Sequence, residues 1–421
     1  MLRTIQSLSV VLLLISVTNA RVALKLNENE ILSEIIRLND TKADGCQIDI
    51  NKDLNEPQPL VIVPGTDRFL LPDDERGIIF LEKGAQIELY CSKSFHGMTN
   101  VQFRNITCEN GNFVENGQLF QYRDFNCTEY PFHVAVRTGK KCFNDASVLD
   151  VGFEVGYRFL KVYEICFDEV LETTHYVTHE FTPPYKTHQA GFPRPGWLNT
   201  GYYNGKRVDT LYTRASQREV VTKILNSTTQ VDKYIPETSD FYLARGHISA
   251  KSDFIFGSQH RATFWLMNAA PQWQVFNNGN WIAVEIAIKN FVADRNIEVD
   301  AYTGTHGVTT LWDEQNKPHE IYLAFDENNN GLIPVPKIYY KILVERKTKF
   351  GIVLIGVNNP YLDLKEIESD YVLCKDVSDQ INWVSWDKKN ITLGYSYACD
   401  VNEFMAVIKH IPDLIVKGLL V

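Results

Sequence analysis

The sequence predicts an α+β protein in which a small, disulfide-stapled β-rich module over residues 21–165 precedes a larger mixed α/β domain over 166–421. Three observations predict it. The chain has 421 residues, 44% apolar and 12% aromatic, which is long for one compact domain and ample for a large core. From Arg21 to about Cys166 the chain reads as short apolar segments cut by turn residues, with six of the eight cysteines among them. Beyond that, strand-like runs flank a stretch of helical periodicity.

Residues 1–20 read as a secretory leader: Arg3 near the start, an apolar stretch over 10–15, and Thr18-Asn19-Ala20 ahead of a mature chain starting at Arg21. No later run is long and apolar enough to span a bilayer, so no membrane partner is expected. The tail, 407–421, is broken by Lys409, His410, Pro412, Asp413 and Lys417 and is expected to form a final amphipathic helix. An even number of cysteines in an exported chain favours disulfides over metal sites. Cys374 and Cys399 stand apart from the others and most simply pair with each other; the connectivity of the remaining six stays open. Asn39, Asn105, Asn126, Asn226 and Asn390 each head an Asn-x-Ser/Thr acceptor, the mark of surface loops on an extracellular glycoprotein.

A formal charge of −10 argues against nucleic-acid binding by basicity alone. The acidity is unevenly spread, however. Residues 171–300 carry 13 Lys+Arg against 12 Asp+Glu, a net of +1, which leaves −11 for the remainder; five of the ten histidines also fall in that window. A neutral face on an acidic body suits an enzyme that must release a polyanionic product.

Along the chain, Leu60-Val61-Ile62-Val63, Ile78-Ile79-Phe80-Leu81 and Ile87-Glu88-Leu89-Tyr90 read as strands between turns. The module they build offers no chemistry of its own and is expected to serve folding or interaction. His175 and His179 stand four apart, a zinc-compatible spacing on a helix, but the Val-Thr-Tyr composition around them makes a strand and the His-Glu-x-x-His order is absent. Pro183-Pro184 through Trp197 is a loop. Trp281, Val284, Ile288, Phe291 and Val292 recur at three- and four-residue intervals and predict a helix from Asn277 to about Arg295. Ile321-Tyr322-Leu323-Ala324-Phe325 and the run from Ile338 to Val344 read as strands about Asp326-Glu327-Asn328-Asn329-Asn330-Gly331. That loop begins like an EF-hand but has Lys337 where a bidentate glutamate is needed, so a polar turn is the better reading.

The chain is organised around Tyr242-Leu243-Ala244-Arg245-Gly246-His247, followed by Asn268-Ala269-Ala270-Pro271-Gln272, then Asn277-Asn278-Gly279-Asn280-Trp281 and Glu285. These motifs, in this order and spacing, resemble the active site of the DNA/RNA non-specific endonucleases, the ββα-metal nucleases, with Asp-Arg-Gly-His, Asn-x-x-Pro-Gln and Asn-x-Gly-x-Trp. Most of the chain is similar to secreted double-stranded ribonucleases and salivary endonucleases of arthropods. Ala244 departs from the pattern, standing where aspartate is usual. The resemblance implies a ββα-metal core within the larger domain. It also makes Arg194, just before an aromatic segment, the first candidate for a phosphate-binding arginine, with Arg214 as the alternative.

Phosphodiester cleavage needs a base for water, positive charge against the developing phosphate charge, and stabilisation of the leaving oxygen. His247 is the candidate base, its ordinary pKa of about 6.5 leaving it neutral at mildly alkaline pH. Asn277 is the candidate metal ligand: a carboxamide oxygen suits Mg²⁺, or Mn²⁺ in its place, which keeps most of its waters. Glu285, eight residues on, is placed to orient that water shell. Lys289 follows one turn later, where the family often has arginine. Arg245 is freed by Ala244 to meet phosphate. Each has a structural rival, as a Gly-flanked histidine, a helix N-cap or an ordinary surface pair; their joint spacing decides for chemistry.

The expected protein is thus a secreted, Mg²⁺-dependent endonuclease acting on single- or double-stranded DNA and RNA to give 5′-phosphates, with no obligate protein partner. The alternatives are a secreted nucleic-acid-binding protein with a nuclease fold and weak turnover, and an adhesive protein working through the N-terminal module.

Overall fold

The computed structural model describes residues 44–73, 75–199 and 201–421. The leader and Asn39 lie outside the described residues. Seven short strands form the N-terminal module: β1 (Cys46–Asp49), β2 (Leu60–Ile62), β3 (Ile78–Leu81), β4 (Gln86–Tyr90), β5 (Phe103–Glu109), β6 (Asn112–Glu115) and β7 (Gln118–Phe120). β1 pairs with β3, and the other five make an antiparallel sheet in the order β2-β4-β5-β6-β7. Alternation along β5 turns Arg104, Ile106 and Cys108 inward. Arg104 is tolerated there because Glu115 accepts from its guanidinium and the rings of Phe125 and Phe120 lie under it, at 4.5 and 5.0 Å. Cys46–Cys108 and Cys91–Cys127 cross-link this module.

The second part is built on a nine-stranded sheet: β8 (Val134–Lys141), β9 (Ser147–Val155), β10 (Arg158–Asp168), β11 (Thr173–Phe181), β14 (Val299–His306), β19 (Ile338–Glu345), β20 (Phe350–Val357) and β21 (Ser396–Cys399), antiparallel in that order, with β22 (Gly418–Leu419) parallel to β20. Between β11 and β14 comes a separate hairpin of β12 (Leu243–His247) and β13 (Ala269–Trp273). Two further hairpins, β15 (Thr310–Trp312) with β16 (Pro318–Glu320) and β17 (Tyr322–Phe325) with β18 (Gly331–Pro334), lie between β14 and β19.

Strands β19 and β20 are buried along almost their whole length, which explains their unbroken apolar runs. Tyr339, Leu343, Ile352 and Leu354 join the large core shared with the N-terminal module, while Ile338, Tyr340, Ile342, Val353 and Ile355 face a second core. On the first side lie α1 (Arg214–Leu225), α2 (Thr228–Tyr234), α3 (Gly257–Ala262) and α4 (Ile282–Arg295); the second is covered by α5 (Leu364–Asp370) through Ile367 and α6 (Val401–Val407) through Val401 and Phe404. The result is an α+β architecture with a sheet between two layers. No helix among the described residues is long and apolar enough to cross a membrane.

Several local expectations changed. The helix expected from Asn277 starts slightly earlier, with an α turn at Gln274–Phe276; Asn277–Trp281 is a wide π turn broken at Gly279 (φ −94°, ψ −120°), and regular α-helix follows from Ile282. A Cβ on Gly279 would stand 2.7 Å from the Leu393 carbonyl oxygen, and Asn280 binds the same loop through the carbonyls of Asp387 and Gly394. The 407–421 tail is not a helix: α6 ends at Val407, and Pro412, which lacks an N–H, lies in an irregular run that leads to β22. Position 165/166, the expected division, falls inside β10, and sheet membership changes earlier, between β7 and β8. Cys142–Cys166 accordingly ties β8's end to β10 rather than stapling the module, and Cys374 pairs with Cys399 as expected. His175 and His179 do lie on a strand, β11, and Asp326 closes its loop as a polar turn by accepting from the N–H groups of Asn328 and Asn330. Among the glycosylation acceptors, Asn105 and Asn226 are exposed, Asn105 on a strand; Asn126 and Asn390 are half-buried.

Trp281 is 1% exposed and packs on Phe276 and Tyr339, joining α4 to the sheet. Trp281→Ala is expected to lower unfolding free energy by about 3–5 kcal/mol. Urea titration followed by far-UV dichroism checks this; an unshifted midpoint would show that α4 is held elsewhere.

Candidate active site

The β12–β13 hairpin and α4 form a ββα unit whose parts are fixed by side-chain amides. Asn268 accepts from the Ser249 N–H at 2.9 Å and donates to the carbonyls of Ser249 and Thr263 at 2.9 and 3.0 Å, joining the exit of β12 to the entry of β13. Asn358 accepts from the Trp273 N–H and donates to the Pro271 carbonyl, satisfying β13 from its far side. Gly246 allows a close approach: a Cβ there would meet Gln272 Oε1 at 2.3 Å and the Tyr339 hydroxyl at 2.8 Å. Thus Asn-x-x-Pro-Gln, with the glycine before His247, is chiefly the framework that presents the histidine.

A cleft of about 670 Å³ opens over this unit and is lined by His247, Asn277, Glu285, Arg194 and Arg245 together, with Lys251 and Lys289 among their neighbours. His247, at the end of β12, is half-buried, its ring 4.6 Å from that of Trp197 and edge-on to Phe264 at 5.0 Å, with Nε2 3.4 Å from Thr263 Oγ1. Loss of water, then the nearby positive charge of Arg194, holds its pKa down at about 3, so the ring is neutral with a lone pair to offer at neutral pH. Arg194 itself is exposed and makes no hydrogen bond or ion pair among the described residues. Arg245 donates to the Asp209 carbonyl at 2.6 Å and lies over the Tyr212 ring, which holds it at the cleft wall. Arg214 is engaged elsewhere, donating to the carbonyls of Pro236 and Ser239, and does not line the cleft.

Asn277, in the π turn, donates weakly from Nδ2 to Gln274 Oε1 at 3.4 Å, and its Oδ1 accepts no hydrogen bond among the described residues. The described residues contain no cluster of three or more His, Cys, Asp or Glu spaced to hold a metal. One free carboxamide oxygen with a carboxyl group in the same cleft is the donor set of a largely hydrated hard cation rather than of zinc. Burial, and then the negative charge of Asp253, pushes the Glu285 carboxyl up to about 7, with Lys341 and Lys289 opposing.

The group that sequence reasoning missed lies directly beneath. Asp253 and Lys341 are both fully buried and pair at 3.0 Å; Asp253 also accepts from the Ala250 N–H at 3.0 Å. His179 places Nε2 3.6 Å from the same carboxylate and Nδ1 2.6 Å from Ser249 Oγ. Lys289, one turn after Glu285, is buried and donates to the Ser252 carbonyl at 3.0 Å, so the two are not an ordinary surface pair. A lysine inside the apolar run 338–344 was the one visible signal for this network.

The DNA/RNA non-specific endonuclease family model matches residues 144–404. Salivary protein Tsal2A of Glossina morsitans morsitans is 28% identical over 384 residues, covering 89% of this chain and 94% of that one. A salivary endonuclease of Lutzomyia longipalpis is 24% identical over 359 residues, covering 83% and 79%. A solved complex of EndoG with EndoGI aligns with 47% of this chain and 71% of that one, at 17% identity and a TM-score of 0.30, and carries no argument.

Two buried histidines, His260 at the cleft wall and His179 behind it, set a pH dependence. Burial depresses His179 to about 4 and His260 to about 3. As pH falls below about 6.5 the unfolded chain takes up protons on both that the folded chain refuses, so their contribution, complete above that pH, is lost progressively towards their folded values. The urea midpoint is expected to be lower at about pH 5 than at about pH 7; equal midpoints would show that neither ring is held neutral.

Proposed function

Because this chain belongs to the DNA/RNA non-specific endonuclease family, we propose that it is a secreted, metal-dependent phosphodiesterase that cuts DNA and RNA through water activated by His247. The convergence of His247, Asn277, Glu285 and Arg194 on one cleft carries this reading. His247 accepts the proton of water attacking phosphorus in line. The phosphate's negative charge offsets Arg194 and Lys251, which otherwise depress the imidazole, so basicity rises as substrate is seated. Arg194, with no protein partner to leave, neutralises charge gathering on the phosphoryl oxygens, and Arg245, held at the cleft wall by the Asp209 carbonyl and the Tyr212 ring, adds to it from β12. Asn277 Oδ1 would hold Mg²⁺ or Mn²⁺, with Glu285 accepting hydrogen bonds from its waters. Such an ion, when bound, supplies electrophilic stabilisation to the phosphate and the departing 3′ oxygen.

Four disulfides and the salivary names of the relatives support an extracellular location. A second reading, binding with weak turnover, is favoured by Ala244, which stands opposite Gln272 and can neither pair with charge nor accept a hydrogen bond from its side chain.

His247→Ala is expected to lower turnover by about 10²–10⁴ while leaving nucleic-acid affinity nearly intact. Equal turnover in variant and parent would remove His247 from the reaction; immeasurable turnover in both, with retained DNA, would favour the binding protein.

Since each proposed contact goes to phosphate and none to the 2′-hydroxyl, matched DNA and RNA duplexes should both be cut, with 5′-phosphate ends. Cleavage should vanish with EDTA, return with Mg²⁺ or Mn²⁺, and be lost in folded Asn277→Ala. Cyclic phosphate ends would require another nucleophile, and full activity in chelator would reject the metal.

A further inference from the structure

Arg194 has no bond of its own to fix it, so its position depends on the backbone that carries it. That backbone is held on one side by the N-terminal module. Gln58, 1% exposed, donates from Nε2 to Gln189 Oε1 at 2.7 Å and to Glu56 Oε1 at 3.0 Å; Gln189 Nε2 reaches the same Glu56 oxygen at 3.3 Å. Asn51 Oδ1 accepts from the Ala190 N–H at 2.8 Å. From the nuclease side, Gln189 Oε1 accepts from the Gly257 N–H, the Gln189 N–H donates to the Ile255 carbonyl, and Lys251 donates to the Phe192 carbonyl, each at 2.8 Å. Phe192 is buried between Tyr130 of the module side and His260 of α3, against Gly257, where a Cβ would stand 2.0 Å from its ring. The segment is pinned again at Leu198, which exchanges backbone hydrogen bonds with Phe264 and Leu266.

We propose that the N-terminal module is a working part of the cleft, with Asn51 and Gln58 as positioning residues that set where Arg194 stands relative to His247. The inference rests on the phosphate-binding reading of Arg194. Both contacts come from connecting segments of the module rather than from its strands, and both end on the two residues that open the Arg194 segment. The guanidinium meets the charge gathering on the phosphoryl oxygens, so a small displacement of its backbone is read as a loss of kcat/KM that depends on Arg194.

The experiment is a double-mutant cycle between Asn51 and Arg194 on the full chain, with cleavage of a short duplex as readout. Asn51 is exposed, so Asn51→Ala perturbs folding least; Gln58→Ala repeats the test from the buried partner. Asn51→Ala is expected to lower kcat/KM about tenfold, and less than about twofold when Arg194 is already alanine. Asn51→Asp keeps the accepting oxygen and should retain activity. Equal losses in both backgrounds, or no loss in Asn51→Ala and Gln58→Ala alike, would overturn the proposal while leaving Arg194 in place. An Arg194→Ala variant with unchanged kcat/KM would instead bring down the Arg194 reading, and this inference with it.

Discussion

The Lys341–Asp253 pair, with neither side chain open to solvent, is the constraint on which the site depends. Separating two buried charges leaves each uncompensated, at a cost of about 3–5 kcal/mol, so the turn bearing Asp253 is bound to the middle of β19. The turn follows β12 by a few residues and carries Ser249, Ser252 and Lys251 into place around His247. Lys341 stands on the same face of β19 as Tyr339, whose hydroxyl supports β13 by donating to the Ala270 carbonyl at 2.8 Å. One strand of the large sheet therefore holds both the hairpin and the turn behind it. The pair also spreads its effect through charge: Asp253 raises Glu285, and Lys341 and Lys289 oppose it.

Much of the site was legible because it is local. His247, Asn277 and Glu285 lie within 39 residues of one another, and short-range spacing survives folding. The core face of α4 was legible for the same reason, through the recurrence of Trp281, Val284 and Ile288. The π turn that leads into it was not, because Gly279 is set by Leu393, more than a hundred residues away. Asp253 and Lys341 are 88 residues apart and neither belongs to a motif. The tail departs from one amphipathic helix for a different reason: Ile408 and Leu420 fill separate cores, with Pro412 between them.

The division between module and nuclease is similarly non-local. Strand β10 runs through the expected boundary, and Arg158 at its start pairs with Glu88 of β4 and donates to the Thr66 carbonyl. Phe69 of the module packs against Phe153 of β9 and Phe256 beside α3, both at 6.0 Å. With a common core running through both parts, the smaller one is not an appendage, and its contribution to Gln189 and Ala190 follows from that continuity.

The nine-stranded sheet ends on β8. An open edge is an invitation to another strand, and a concentrated protein offers many candidates. β8 answers with the Tyr202 hydroxyl, which donates to the Ala135 carbonyl, with Lys140 and Lys141, and with a register break between Arg137 and Lys141 against β9. A partner strand arriving there would meet like charge from its own copy and a backbone out of step. Edge-to-edge growth of the sheet from one molecule to the next is thereby opposed on this side by charge and by register, a safeguard separate from anything the cleft does.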